Sequence, residues 1–263
     1  MALTTKTPAE TVGDLLEMDN SNSGITASTR AIKSGNGTAS ALSISDRAIK
    51  VTANTDSTAT VNVISSTATT LFNIDSSNSQ VKALGNHVNT QYANFNIGYS
   101  ESTGFTAGSH EMIPFESANY GLFGTSIPNL GTGTDPAATF TTSNSAGEKA
   151  GDLVPCLWHI PDNIVIDGVY SLEGADTTNG DTTRMHLVSF AFESGATACL
   201  TSGTLLAFNS DVTNAGSEQP YLSTWTIDSS SVASGRVIVA TFESDSINAD
   251  YSLNIKIKYH LSI

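Results

Sequence analysis

The sequence predicts a mostly β protein, and its hydroxyl-rich composition, alternating apolar pattern and frequent turn residues are the reasons. Charged residues make up only 14% of the 263 positions, whereas Ser and Thr together contribute 69. Thr fits a pleated, half-exposed strand, and the residues Lys and Glu, which favour exposed helix surfaces, are scarce. Many short alternating segments separated by acidic or Gly-containing turns predict a β-sandwich that is jelly-roll-like.

Residues 1–24 are predicted to form an anchor helix and a tip. In "TPAETVGDLLEM", a threonine serves as N-cap, a proline follows at the first helical position, and a glutamate completes a capping box. Val12, Leu15 and Leu16 then fall on one face at helical spacing. Because three turns are marginal alone in water, we expect this stripe to pack on symmetry mates or on a docking surface.

Residues 25–85 are predicted to form an intertwined stalk of short strands. The strands are expected at 29–33, 41–45, 47–52, 60–64, 70–74 and 80–84. The first 85 residues contain one aromatic residue, Phe72, against 18 in residues 86–263. Since aromatic residues dominate the apolar content of cores, this region is expected either to be disordered or to bury its aliphatic residues between chains.

A repeated sequence device favours burial between chains. "EMDNSNSGI" at 17–25 and the middle of "LFNIDSSNSQVKAL" at 71–84 share an apolar residue, Asp, Asn-Ser and an aliphatic residue, 56 positions apart. Asp and Asn favour turns, so each copy predicts a hairpin, and an isolated hairpin is barely stable. Three copies around an axis would bury the aliphatic residues together. The trimer-interface candidates of the stalk are Leu71, Ile74, Val81 and Leu84.

Residues 86–263 are predicted to form the β-sandwich head. Strands are expected at 164–171, 185–192, 204–209, 235–243 and 251–263. The last of these, "YSLNIKIKYHLSI", alternates perfectly, as in a strand with one buried face. By contrast, "RVIVATF" is apolar on both faces, which predicts a central strand covered twice. A subunit interface is one candidate for the second cover, so Val237 and Val239 are further trimer-interface candidates.

The charge distribution argues against a nucleic-acid partner. The formal net charge is −14 at pH 7, whereas nucleic-acid binding calls for a basic surface. Residues 1–85 carry a net charge of −1 and residues 86–263 a net charge of −13. No apolar run reaches the length of a transmembrane helix, so no membrane insertion is expected.

No motif in the sequence predicts catalysis or a cofactor, and we expect the protein not to be an enzyme. A G-x-S-x-G elbow, an H-E-x-x-H helix, a P-loop and a dinucleotide fingerprint are all missing from the sequence. The five histidines stand at no metal-ligand spacing. Two pairs of aspartates in turns leave calcium binding open, although neither has EF-hand spacing. These pairs are Asp176 with Asp181, and Asp245 with Asp250.

The cysteines and tryptophans are expected to be structural. Cys156 and Cys199 are predicted to be free buried thiols, while a disulfide between them stays open. Trp158 and Trp225 are predicted to pack in the core, since Trp is usually largely buried.

Several of these segments resemble trimeric fibre and decoration proteins of tailed bacteriophages, particularly marine ones. "TPAETVGDLLEMDNSNSGI", "SGNGTASALSIS" and "LFNIDSSNSQV" look like the N-terminal region of those proteins. "HIPDNIVIDGVYSLEGADTTNGDTTRMHLVSF" and "SDSINADYSLNIKIKYHL" are similar to their C-terminal sandwich head. The resemblance implies a homotrimer on the virion surface, assembled in the host cytoplasm, with the N-terminus towards the particle and the head outward.

The expected function is that of a non-enzymatic virion structural protein. It would be a tail fibre or spike, or else a capsid decoration protein or head fibre. Its expected partners are two further copies of itself and the capsid or tail proteins of the virion, and a host surface glycan is a candidate ligand of the head. No cofactor is expected. The alternatives are a soluble or cell-surface carbohydrate-binding module and a small polysaccharide hydrolase.

Overall fold

The computed structural model describes the backbone of residues 16–18, 24–100, 108–116, 153–176, 182–209, 212–213, 219–244 and 250–262. The chain divides into two compact units, Met1–Val88 and Asn89–Ile263. Within the described residues the structure is mostly β, in antiparallel sheets, and the helical residues are Leu153 and the 3-10 turn Val154–Cys156 that follows it. The mostly β class is therefore confirmed.

The N-terminal unit contains two four-stranded antiparallel sheets in which consecutive strands are neighbours. The first sheet consists of β1 (Leu16–Met18), β2 (Arg30–Ser34), β3 (Ala39–Ile44) and β4 (Ile49–Val51). The second consists of β5 (Val61–Ile64), β6 (Thr70–Asp75), β7 (Gln80–Ala83) and β8 (Asn86–His87). Six of these strands, β2 to β7, match the six predicted ones, because alternation and flanking turn residues are local signals.

The predicted N-terminal helix is wrong where the structure describes it. Its last turn, Leu16–Met18, forms β1 and pairs with β2, with Leu16 opposite Ser34. A three-turn helix is only marginally stable in water, whereas pairing with β2 gives this segment backbone hydrogen bonds to a neighbouring strand. The remainder of the predicted helix, including Val12 and Leu15, lies outside the described residues.

The predicted intertwined stalk of hairpins is not supported by the described residues either. The hairpin of β6 and β7 is present, but β5 and β8 extend it to a four-stranded sheet, which is more stable than a hairpin alone. The earlier copy of the repeated device does not form the same hairpin. Met18 lies opposite Ile32 there, and Ile25, which corresponds to Val81, is outside any strand. The two copies thus share residues but not a structure.

The C-terminal unit is a β-sandwich of two antiparallel sheets. The five-stranded sheet has the order β16 (Gln219–Thr224), β12 (Ile164–Asp176), β20 (Asp250–Leu261) and β9 (Thr90–Ser100), and β18 (Ser231–Val232) also pairs with β12. The seven-stranded sheet has the order β10 (Glu111–Ile113), β19 (Arg236–Ser244), β13 (Thr182–Phe192), β14 (Leu200–Phe208) and β17 (Thr226–Ile227). Two short strands complete it, β11 (Trp158–His159) on β19 and β15 (Val212–Thr213) on β13.

The main core lies between these two sheets. In β20, Leu253, Ile255 and Ile257 are buried, while Asn254 and Lys256 between them are exposed, as the alternating pattern predicted. The aromatic residues buried in this core are Phe95, Trp158, Trp225 and Phe242. Both tryptophans are thus core residues, as expected.

The seven-stranded sheet is also covered on its outer face. A second cluster there contains Met112, Leu153, Cys156, Val188, Phe190, Cys199, Leu200, Val237 and Val239. Val237 and Val239, predicted as interface residues, are only 3% and 0% exposed. β19 is covered twice, as predicted, and the chain itself supplies the second cover through Leu153 and the 3-10 turn. Cys156 and Cys199 are buried, and neither forms a disulfide bond, as predicted.

Candidate functional site

The N-terminal unit shows no hydrophobic core of its own in the part that is described. Between residues 24 and 88 no apolar side chain is buried, and the single buried residue is Asp75. The large aliphatic residues exposed instead are Leu16, Ile25, Leu42, Ile49, Val51, Val63, Ile64, Leu71, Leu84 and Val88. Leu16 is the most exposed of them, at 77%. Apolar exposure on this scale is typical of an interaction surface.

Strand register gathers apolar residues on one face of each sheet. In the first sheet Leu42 lies opposite Val51, and Ile44 lies opposite Ile49. We call these four residues the first apolar face. The second apolar face consists of the cross-strand rows Val61, Ile74, Val81 and Val63, Phe72, Ala83. Cross-strand pairs of this kind stabilise a sheet by burial, so each face needs a surface that covers it.

The stalk candidates for a trimer interface do not share one face. Ile74 and Val81 lie directly opposite each other on the second apolar face. Leu71 precedes Phe72 in the same strand and therefore faces the other side of the sheet. Leu84 follows β7 with a φ of 48°, and its N–H donates to the carbonyl of Leu71 at 3.1 Å. The four candidates therefore form two pairs, and the register places only Ile74 and Val81 on the second apolar face.

The turn between β6 and β7 is held by Asp75. The carboxylate accepts the backbone N–H of Asn78 at 2.9 Å and the side-chain amide of Asn78 at 2.8 Å. The hydrogen bond from the Asn78 side chain is the main cause of the lowered pKa of Asp75. This Asp-x-x-Asn arrangement fixes the hairpin locally, without the help of a core.

A buried polar cluster lies on the outer face of the seven-stranded sheet. Along β13 and β19, the apolar pairs of the second cluster give way to the pairs His186–Thr241 and Arg184–Glu243. The Arg184 guanidinium lies 2.9 Å from the Glu243 carboxylate. His110 stacks on His186 with ring centroids 4.2 Å apart, and its Nδ1 is 3.1 Å from Thr241 Oγ1. We call these five residues the polar row.

The environment of His110 keeps its imidazole neutral in the folded protein. Burial, together with repulsion from His186 and Arg184, lowers the pKa of His110 from 6.5 to about 3. The unfolded chain binds this proton near pH 6.5 and the folded chain does not. The contribution of His110 to stability is therefore fully present above pH 6.5 and is lost as the pH falls from there towards 3.

Acidification from pH 8 to pH 5 is expected to lower the free energy of unfolding by about 2 kcal/mol through His110 alone. Urea unfolding at both pH values measures this in the wild type and in His110→Gln, whose side chain does not titrate. Carboxylates titrate in both proteins, so the difference between their pH dependences isolates His110. Identical losses in the two proteins would contradict the prediction.

A buried acid lies on the inner face of the five-stranded sheet. Glu173 is only 5% exposed and accepts a hydrogen bond from the Ser171 hydroxyl. That hydroxyl accepts in turn from the indole N–H of Trp225 at 2.8 Å. Burial raises the pKa of Glu173, against hydrogen bonds from Ser171 and Ser223 that lower it. The network fixes the orientation of the Trp225 ring, which is a structural role.

A pocket of about 330 Å³ opens beside the 3-10 turn. Its described lining includes Leu153, Val154, Leu157, Phe192 and Cys199. Among these lining residues, Cys199 carries the single titratable side chain. The pocket therefore offers an apolar surface, and its described part lacks the convergent polar groups of a catalytic site.

Sequence reasoning missed the polar row and left the calcium turns open. Alternation of Arg184 and His186 with apolar neighbours indicates a polar face in β13, but nothing in the sequence links that face to His110. Of the candidate calcium ligands, Asp176 and Asp250 have their backbones opposite each other. The other two candidates, Asp181 and Asp245, lie outside the described residues.

Comparisons with known proteins leave the function to be argued from the structure. No protein-family model matches this chain, and no curated protein sequence matches it. Nowhere in the described segments is there a helix with the length and apolar character that a membrane crossing requires. Two features remain for a functional argument. They are the apolar faces of the N-terminal unit and the surface of the sandwich.

Proposed function

We propose that the chain is a non-enzymatic structural protein of a virus particle and acts as a homotrimer. It would serve as a surface fibre or spike, or as a capsid decoration protein, of a tailed bacteriophage. The N-terminal unit would attach to capsid or tail proteins, and the C-terminal unit would be displayed on the virion surface. The observation that carries this proposal is the pair of apolar faces in the N-terminal unit, in which no described apolar side chain is fully buried.

The apolar faces support assembly on energetic grounds. Burying a Val, Leu or Ile side chain contributes about 1.5–3 kcal/mol. In a single chain part of that contribution is missing, because Leu42 and Val51 remain 41% exposed, Val63 48% and Ile49 76%. Subunits of obligate oligomers recover it at their interfaces, which are more hydrophobic than those of transient complexes. A symmetric assembly covers the same two faces on every copy. The number of three copies rests on the resemblance to trimeric phage proteins.

The strand order of the C-terminal unit supports a virion role. Its eight main strands are, in chain order, β9, β10, β12, β13, β14, β16, β19 and β20. When these are numbered 1 to 8, the two sheets have the strand orders 1-8-3-6 and 2-7-4-5. We infer a jelly roll from this order, and jelly rolls build many viral capsid and lectin domains. The topology suits both the virion proposal and the alternative of a carbohydrate-binding module, because a fold alone does not determine function.

The thiols of the C-terminal unit suit assembly in the host cytoplasm. Cys156 and Cys199 form no disulfide bond although both are buried in the same cluster. Unpaired cysteines are usual in reducing compartments, whereas secreted proteins tend to pair them.

Immunogold microscopy of intact phage particles tests the location. We expect antibodies against the C-terminal unit to label particles purified from a lysate that contains the chain. Label on the tail would favour a fibre or spike, and label on the capsid would favour a decoration protein. Unlabelled particles, with the chain detected only in the particle-free fraction, would contradict the proposal and favour a free carbohydrate-binding module.

A further inference from the structure

The pocket beside the 3-10 turn has a buried floor and an exposed rim. Of its lining residues, Leu153 and Cys199 are buried, at 2% and 9% exposure, whereas Val154 and Phe192 are 63% and 40% exposed. A single exposed apolar side chain is ordinary, but these two border a concave apolar surface and extend it towards solvent. We call this site the apolar pocket.

Backbone hydrogen bonds fix two walls of the apolar pocket. One wall is the 3-10 turn, where the N–H of Leu157 donates to the carbonyl of Val154 at 3.2 Å. The other wall is the turn between β13 and β14, which the N–H of Glu193 closes by donating to the carbonyl of Cys199 at 2.8 Å. Both walls are therefore in place before a ligand arrives, as is usual for small-molecule sites.

The described lining of the apolar pocket contains no charged side chain, although residues 86–263 carry a net charge of −13. The acid that follows Phe192, Glu193, lies outside that lining, and its carboxylate accepts from the Thr201 hydroxyl at 3.4 Å. A charged ligand would lose its hydration in the pocket without gaining a partner, and the acidic unit would also repel an anion. The lining therefore favours a neutral ligand.

The volume of the pocket sets the size of that ligand. An apolar cavity of about 150 Å³ holds benzene, so about 330 Å³ suits a molecule of two fused rings, with roughly ten carbon atoms. We infer that the apolar pocket binds a neutral, apolar small molecule of this size. The ligand would lie on Leu153 beside the Phe192 ring, and the polarizable sulfur of Cys199 favours an aromatic ring there. This site goes beyond the proposed function and does not depend on assembly.

Fluorine NMR of fluoroindole in the presence of the full chain tests the inference. Fluoroindole is neutral and has two fused rings, so we expect the wild-type chain to bind it and broaden its signal. Fluoroindole carboxylate keeps the rings and adds a negative charge. We expect it to bind about tenfold more weakly or less, because its carboxylate loses hydration in the apolar pocket. This comparison separates the contribution of the apolar rings from that of charge.

Ala196→Phe is the most informative variant. Ala196 lines the apolar pocket and is exposed, so the larger side chain can occupy the pocket without displacing the core. We expect fluoroindole to bind at least about tenfold more weakly, with an unchanged unfolding midpoint. Ser194→Phe is the matched control, because Ser194 belongs to the same turn, is exposed and lies outside the described lining. We expect this control to bind fluoroindole like the wild type.

The Cys199 thiol reports occupancy of the pocket directly. It lines the pocket, whereas Cys156 is 2% exposed and lies outside the described lining. N-ethylmaleimide alkylates accessible thiols, and mass spectrometry of the digested chain identifies the labelled cysteine. We expect saturating fluoroindole to slow the alkylation of Cys199 in the wild type severalfold. In Ala196→Phe we expect slow alkylation even without the ligand.

Four results would overturn the inference. They are an unchanged fluoroindole signal with the wild type, equal affinity of wild type and Ala196→Phe, a carboxylate that binds as tightly as fluoroindole, and Cys199 alkylation that fluoroindole does not slow. The mass of Ala196→Phe by light scattering reports assembly separately. A changed mass would indicate that another copy fills the pocket and would also overturn the inference. Lost fluoroindole binding at constant mass supports the inference and leaves the assembly proposal intact.

Discussion

Replacing Ile49 and Val63 together by aspartate is expected to convert the proposed trimer of about 82 kDa, three times the chain mass of 27.4 kDa, into monomers. The two side chains are 76% and 48% exposed in a single chain, and each belongs to one of the two apolar faces. Assembly would remove both positions from water in every copy. An ionised carboxylate without a partner is strongly disfavoured there, and six of them per trimer would prevent association. Light scattering measures the mass.

Asn62→Asp is the matched control for this double variant. Asn62 precedes Val63 in β5, faces the other side of the sheet and is exposed. Its substitution adds one negative charge per chain, half of what the double variant adds, next to the second apolar face without entering it. We expect this variant to remain trimeric. A monomeric wild type, or dissociation of Asn62→Asp as well, would remove the apolar faces as the basis of assembly.

The strands that could be predicted are those with a strong local pattern. β20 alternates over its whole length, and β19 is apolar on both faces, because one lies at the surface of the sandwich and the other between two clusters. The strands β10, β11 and β18 contain only two or three residues each. They exist because a distant strand, β19 or β12, offers them backbone hydrogen bonds, and no local pattern reveals that.

The same limit explains the errors. The apolar stripe and capping residues near the N-terminus favour a helix locally, yet the pairing of Leu16–Met18 with β2 overrides them. The doubly apolar pattern at Val237 and Val239 indicates that two surfaces cover the strand, but it cannot tell whose surfaces they are. The covering residue Leu153 lies far away in the sequence.

The sites depend on register even more than the fold does. His110 meets His186 only because β10 and β13 both pair with β19. The end of the Tyr170 side chain lies over Gly168, and Gly168 is opposite Lys258 because β12 pairs with β20 across a bulge. A shift of one residue in either pairing would move these side chains to the other face of the sheet. Composition and spacing contain no information about that register.

Removing one partner of the Arg184–Glu243 pair is expected to lower the free energy of unfolding by about 3–5 kcal/mol. In Arg184→Met, the Glu243 side chain, only 1% exposed, loses the guanidinium that lies 2.9 Å from it. Glu243→Leu should cost less, because the Arg184 side chain is 17% exposed and can reach water.

The double variant decides what the pair does for the protein. Arg184→Met combined with Glu243→Leu leaves no unpaired charge between these two positions, which lie opposite each other, and it continues the apolar rows of the second cluster. We expect it to be more stable than Arg184→Met. Urea unfolding of the wild type, the two single variants and the double variant at pH 7 gives the coupling energy of the pair as a double-mutant cycle. Additive losses would show that the charges are not coupled. A double variant with a free energy of unfolding close to that of the wild type would mean that the ion pair adds little net stability. The role of the pair would then be to fix the register of β13 on β19, on which the polar row depends.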